Sequence, residues 1–150
     1  MEEIKIINIG SPFKDQKPGT SGLRKSTVQF QEDHYLEIFI ESILLSLPDV
    51  KESTIILGGD GRYGNEKAIK KIISICAAHR VGKIILGKGG LLSTPAASNL
   101  IRIKNALGGI ILSASHNPGG IEGDFGVKLN GSNGGPAPES VTNNIFKISQ

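Results

Sequence analysis

Three runs of the same kind, Ile55-Ile56-Leu57, Ile84-Ile85-Leu86 and Ile110-Ile111-Leu112, each stop within a residue or so at glycine or serine. A strand with one wet face alternates apolar and polar residues, and these runs do not. Continuous aliphatic runs belong to strands covered on both faces, as in parallel sheets. Between them lie helical patterns. "NEKAIKKIISICAAHR" places Ile69, Ile72, Ile73 and Cys76 at helical spacing, and "STPAASNLIRIKNAL" starts with Ser93 or Thr94 as N-cap and Pro95 in the first turn. Alternation of strand and helix predicts a three-layer α/β domain: a mixed, mainly parallel sheet with helices on both faces.

The remaining elements follow from the same signals. "DHYLEIFIESILLSL" is a helix closed by Pro48, and "IKIINI" and "VQF" are read as outer strands. "GKIILGKGG" is read as a strand and its turn. "GDFGVK" is a short strand candidate, "LNGSNGGPAPES" a loop, and "VTNNIFKISQ" a short final helix. Tryptophan is absent and aromatics make up 5%, so the core must be aliphatic. At 150 residues the chain is read as one domain, residues 1–150.

Composition excludes more than it selects. A net charge of +3 with dispersed Lys and Arg, and no aromatics among them, argues against nucleic acid. The start "MEEIKIINIG" lacks a leader's apolar core, and no segment approaches the roughly 18 apolar residues of a membrane span. A cytoplasmic location is the expectation. The single cysteine, Cys76, lies in an apolar segment and reads as a buried small hydrophobe. His34 and His79 fall on helical patterns without metal-ligand spacing.

In a parallel sheet, ligands gather beyond the carboxyl ends of the strands. "GGDGR", "GKGGLLST" and "SASHNPGG" are all strand exits, which directs attention to one shared rim. In "SASHNPGG", Ser115 can accept a phosphoryl group if donors or cations receive its charge, and His116 can move a proton. The same string also fits an Asn-Pro turn with incidental polar neighbours. In "KPGTSGLRK", Thr20 and Ser21 offer hydroxyls and backbone donors to phosphate oxygens, and Arg24 a bidentate fork; a solvated basic hairpin is the plainer reading. Lys128 can contact phosphate or carry a proton, or stand as an ordinary exposed lysine. Asp60 and Arg62 read as a local ion pair. The chain has no Asp-x-Asp cluster from which to assemble a complete magnesium site. Dinucleotide and Walker spacings are missing, as is a nucleophile-elbow serine.

Taken in order, "PGTSGLRK", "GGDGR", "STPA", "ASHNPGG", "GDFGVK" and "SNGGPAPE" resemble the first domain of phosphoglucomutases, in the α-D-phosphohexomutase superfamily, over nearly the whole chain. "ASHNPGG" following "PGTSGLRK" carries the superfamily; "DQKPGTSGLRK" and "SNGGPAPE" point to its glucose-specific branch. The resemblance implies that Ser115 carries a phosphoryl group and exchanges it with glucose 1-phosphate and glucose 6-phosphate through glucose 1,6-bisphosphate. It implies Mg²⁺ bound through a phosphoserine oxygen, with aspartates of another domain as its other ligands. Arg24, His116 and Lys128 match the family's active-site residues. Ser113 stands where the family commonly has Thr, and the family's enzymes have four domains where this chain holds the bulk of one. A second reading is a non-catalytic, parafusin-like phosphorylated relative acting as a binding or signalling module.

Overall fold

The computed structural model describes residues 3–150. In chain order the elements are β1 (Leu23–Ser26), α1 (Thr27–Phe30), α2 (Tyr35–Ser46), β2 (Thr54–Gly59), α3 (Asn65–Ala78), β3 (Lys83–Leu91), α4 (Thr94–Ile103), β4 (Gly108–Leu112), β5 (Asp124–Gly131) and α5 (Glu139–Ser149). One sheet holds all five strands in the order β1-β5-β4-β2-β3. β2 pairs in parallel with β3 and β4, while β5 runs antiparallel to both β4 and β1.

Strand periodicity then sorts the aliphatic side chains onto two faces. Ile55, Leu57, Ile110, Leu112, Val127 and Leu129 join the larger core with residues of α2, α3 and α5. Ile56 and Ile111 point the other way and meet Ala97 and Ile101 of α4. This is the three-layer, mixed sheet expected from the uninterrupted strands. α4 begins as its sequence indicates: the Ser93 hydroxyl accepts the Ala96 N–H at 3.3 Å, and Pro95 sits in the first turn.

Three expectations need correction. "VQF" is helical, not a strand. The Ser26 hydroxyl accepts the Gln29 N–H at 3.2 Å and caps α1, while Thr27 and Phe30, three apart, turn inward and Val28 stays 60% exposed. That is helical spacing, which a three-residue apolar string cannot declare. "IKIINI" forms no strand, and Ile6 is 86% exposed. An extended segment needs a partner edge for its backbone groups, and among the described residues it has none. Finally, "GKGG" does not end β3. The ladder jumps from Leu57↔Leu86 to Gly59↔Leu91, so Gly87 to Gly90 bulge out and the strand resumes. Gly89 and Gly90 take φ values of 63° and 79°, which a β-bulge accommodates and an L side chain resists.

His34 and His79 lie at helix ends rather than within helices. His34 is the N-cap of α2, and His79 closes α3 and bonds Glu41 at 2.8 Å.

A buried strand position and an exposed helix position predict opposite mutational outcomes. Ile56→Ala, at a fully buried position of a central strand, should destabilise by about 2–5 kcal/mol. Val28→Ala, on the outer side of α1, should stay within about 0.5 kcal/mol. Denaturant midpoints of the two variants check both values and the helical assignment of "VQF".

Candidate functional site

Parallel pairing brings the exits of β2, β3 and β4 to one edge. The Asp60 N–H donates to the Leu112 carbonyl at 3.0 Å and the Leu92 N–H to the Gly59 carbonyl at 2.9 Å, so the three chain ends are tied where they leave the sheet. The loop after β4 carries the serines. Ser113 is still held by the sheet, its N–H donating to the Gly126 carbonyl at 3.0 Å. Ala114 is fully buried and roots the loop. Ser115 and His116 then stand exposed at its crest.

Ser115 has a φ of 57°, the left-handed region, which disfavours L-residues by roughly 1–2 kcal/mol. A chain of hydrogen bonds holds it there. The Ser115 N–H donates to the Ser113 hydroxyl at 3.0 Å, and that hydroxyl donates to Asp60 Oδ2 at 2.9 Å. The side-chain amide of Asn117 donates to Asp124 Oδ2 at 2.9 Å. Arg62 joins these pieces. Its Nε and Nη2 grip the Asp60 carboxylate at 2.8–3.0 Å, Nη2 also reaches the Ser115 carbonyl at 3.1 Å, and Nη1 donates to the Asp124 carbonyl at 2.8 Å.

Burial alone would raise the pKa of Asp60. The hydrogen bonds from Arg62 and Ser113, with the Arg62 charge, outweigh it and hold the carboxyl below its usual range. The local Asp60–Arg62 pair was legible as such. That Arg62 also braces the serine loop was not, because its carbonyl partners lie more than fifty residues away in sequence.

The two basic candidates share one face of the sheet. Leu23 and Val127 turn to the larger core, so Arg24 on β1 and Lys128 on β5 turn to the opposite face. Arg24 lies opposite Gly126, which puts Lys128 at a diagonal position, about 7–8 Å away between backbones. Gly126 in turn accepts from Ser113, so Arg24, Gly126 and Ser113 form one row across the sheet toward the serine loop. The Arg24 Nε is buried without a hydrogen-bond partner.

Thr20 and Ser21 are placed differently. They are exposed at the tip of a turn closed by mutual Gly19–Gly22 backbone bonds of 3.0 and 3.1 Å. Gly22, with φ 84°, lets this turn lie against β5, where an added Cβ would sit 2.3 Å from the Val127 carbonyl oxygen. The turn therefore stands at the entry end of β1, and Ser115 beyond the exit end of β4.

Among the described residues, no three or more His, Cys, Asp or Glu side chains gather to hold a metal. Two carboxylates are tied to the loop: Arg62 and Ser113 occupy both oxygens of Asp60, and Asn117 bonds Asp124.

A family model, phosphoglucomutase/phosphomannomutase, alpha/beta/alpha domain I, matches residues 15–150. The chain belongs to this family. It is 59% identical over 148 residues to a phosphoglucomutase of Aspergillus fumigatus, covering 98% of this chain and 26% of that protein. Human phosphoglucomutase-1 is 51% identical over 151 residues, covering 98% of this chain and 27% of that protein. Among solved structures, the open form of the exocytosis-sensitive phosphoprotein pp63/parafusin (phosphoglucomutase) from Paramecium superposes with a TM-score of 0.92 at 44% identity, over 95% of this chain and 26% of that one. The chain thus spans about a quarter of the length of these relatives. The parafusin structure itself carries the phosphoglucomutase name, which does not favour the non-catalytic reading.

Two measurements follow from the chemistry of this domain. Burial pushes the Cys76 thiol up to about 11, so native protein should resist iodoacetamide at pH 8 and react once unfolded. The lowered pKa of Asp60 gives stability that is fully present above its ordinary value of 3.8 and lost as pH falls through the lowered folded value. Asp60→Asn should therefore melt lower than wild type at neutral pH, and the gap should narrow as pH drops below 3.8. A gap independent of pH would show that the carboxylate's charge is not what holds the loop.

Proposed function

We propose that this domain supplies the phosphoryl-bearing serine of a phosphoglucomutase, interconverting α-D-glucose 1-phosphate and glucose 6-phosphate. The observation that carries the reading is Ser115, an exposed hydroxyl on a braced strand-exit loop, in a chain of the phosphoglucomutase/phosphomannomutase domain I family. Phosphorylated Ser115 gives its phosphoryl group to the free hydroxyl of a glucose monophosphate. The P–Oγ bond breaks, a P–O bond to the sugar forms, and the sugar's hydroxyl proton is passed to the serine oxygen. Glucose 1,6-bisphosphate results; it turns over and returns its other phosphoryl group to Ser115 with the proton moving the opposite way.

The chain's own residues divide the remaining work. His116, exposed beside the serine, and Lys128 are the candidates for moving that proton. Arg24, with its unpartnered buried Nε, and Lys128 face a phosphate from the sheet. Thr20 and Ser21 offer hydroxyls to a more distant phosphate from the turn before β1.

Mg²⁺ fits this chain through one ligand, an oxygen of the phosphorylated Ser115, because no cluster of carboxylates surrounds it among the described residues. When bound, the ion neutralises charge on the phosphoryl oxygens. Its other ligands, and the surfaces that fix the sugar, belong to further domains of a four-domain protein of which residues 1–150 are the first. No helix among the described residues is long and apolar enough to cross a membrane. A cytoplasmic location is part of the proposal.

The test uses three proteins: the full-length enzyme, its Ser115→Ala variant, and residues 1–150 alone. Each is assayed for glucose 6-phosphate formation from glucose 1-phosphate, with Mg²⁺ and a trace of the bisphosphate. Ser115→Ala should lose nearly all turnover while its stability moves by about 0.5 kcal/mol or less, since an exposed hydroxyl contributes little packing. The short chain should be inactive, because positioning supplies much of the rate in phosphoryl transfer. Near-normal turnover by the alanine variant would overturn the serine assignment.

A further inference from the structure

We propose that Arg62 is a positioning residue for phosphoryl transfer, a buried strut that sets the direction of the Ser115 hydroxyl. The inference rests on the reading of Ser115 as phosphoryl carrier and adds a residue to it. Ser115 sits in a backbone conformation that an L-residue leaves unless its surroundings hold it, and the segment from Ser113 to Gly123 contains no helix or strand. The Arg62 side chain is only 7% exposed. It fastens the loop at both ends, at the Ser115 carbonyl on the crest and at the Asp124 carbonyl where β5 begins. Through Asp60 it also holds the Ser113 hydroxyl that accepts the Ser115 N–H.

The pattern of donors separates this role from phosphate binding. Arg62 directs Nε, Nη1 and Nη2 at protein oxygens, and its charge is met by the Asp60 carboxylate. Arg24 keeps a buried Nε with no partner. Arg62 thus spends its donors on the loop and on Asp60, which leaves it as a rigid base for Ser115. The planar fork is essential, because a compact lysine ammonium cannot span two carbonyls and a carboxylate at once.

The experiment uses the full-length enzyme with Arg62→Gln, Arg62→Lys and Ser113→Ala, assayed well below each variant's melting temperature. Loss of the strut should lower kcat by about 100-fold, the penalty of a small misplacement of reacting groups, and leave KM for glucose 1-phosphate little changed. Hydrogen exchange at the Ser115 and Asn117 amides should quicken, and Ser115 phosphorylation by glucose 1,6-bisphosphate, read by mass spectrometry, should slow. Lysine should not rescue. Ser113→Ala should shift the same readouts in the same direction by less.

Wild-type kcat in Arg62→Gln would overturn the proposal. A raised KM with unchanged kcat would overturn it too, making Arg62 a ground-state ligand. If the Arg62 variants fail to fold, Ser113→Ala decides: slowed phosphorylation supports the brace, and unchanged phosphorylation refutes it. Turnover surviving in Ser115→Ala would remove the underlying reading. An inactive Ser115→Ala beside a normal Arg62→Gln would remove only the strut.

Discussion

Strands β2 and β4 have almost no face toward water: every residue from Ile55 to Gly59 and from Gly108 to Leu112 is buried. Unpaired polar side chains are costly in such strands, so polar chemistry is confined to the ends. The same property weakens register. In a half-wet strand, slipping by one residue throws the apolar set into solvent; in these, both sets are apolar and the pattern alone does not object. The register is pinned at the ends instead. The Leu107 N–H bonds the Thr54 carbonyl at 2.9 Å where the strands enter, and the Asp60 N–H bonds the Leu112 carbonyl at 3.0 Å where they leave. The residues that fix the sheet's alignment at the exit are the same ones that shape the serine loop.

This coupling divides the charges at the rim into two kinds. Asp60 and Arg62 neutralise each other, and their hydrogen-bonding capacity is directed at the chain itself. Arg24 and Lys128 come from a different place, the open side of the antiparallel pair β1 and β5, with no carboxylate paired to either among the described residues. A buried donor left without an acceptor is unfavourable by about 1–3 kcal/mol, so the Arg24 Nε favours any acceptor oxygen that reaches it. The hydrogen bonds of Arg62 are spent within the chain, whereas the Arg24 Nε has no partner among the described residues.

How much of this could be read from the chain depends on how far apart the cooperating residues lie. The three aliphatic runs and the helices between them announced the layers, since periodicity is local. Ser115, His116 and Lys128 stood out as candidates because their motifs are compact. "VQF" misled because three residues cannot separate a strand from a capped helical turn; the deciding contact is the Ser26 hydroxyl on the Gln29 amide. "IKIINI" has the alternation of a strand but no edge to join. The "GKGG" bulge needed the partner strand, because a bulge is defined by the mismatch between two strands. Arg62 looked like half of a local pair. Its bonds to the Ser115 and Asp124 carbonyls exist only once the β4 exit and the β5 entry have folded beside it.

Every residue of "SASHNP" except His116 has a separate physical task in holding the loop. Ser113 is both sheet and loop, its N–H in the ladder and its hydroxyl bridging Asp60 to the Ser115 amide. Ala114 is small enough to be wholly buried beneath the turn. Asn117 ties back to Asp124, and the Pro118 carbonyl accepts the Asp124 N–H at 2.8 Å, closing the loop onto β5. Glycine at 115 would adopt the left-handed backbone without strain. It would also have no hydroxyl. The bonds from Arg62 to the Ser115 carbonyl and from the Ser115 N–H to the Ser113 hydroxyl hold the serine in that conformation. The proline and glycines complete a turn, as any loop might require; the hydroxyl held at its crest against conformational preference is the part that a turn alone does not explain.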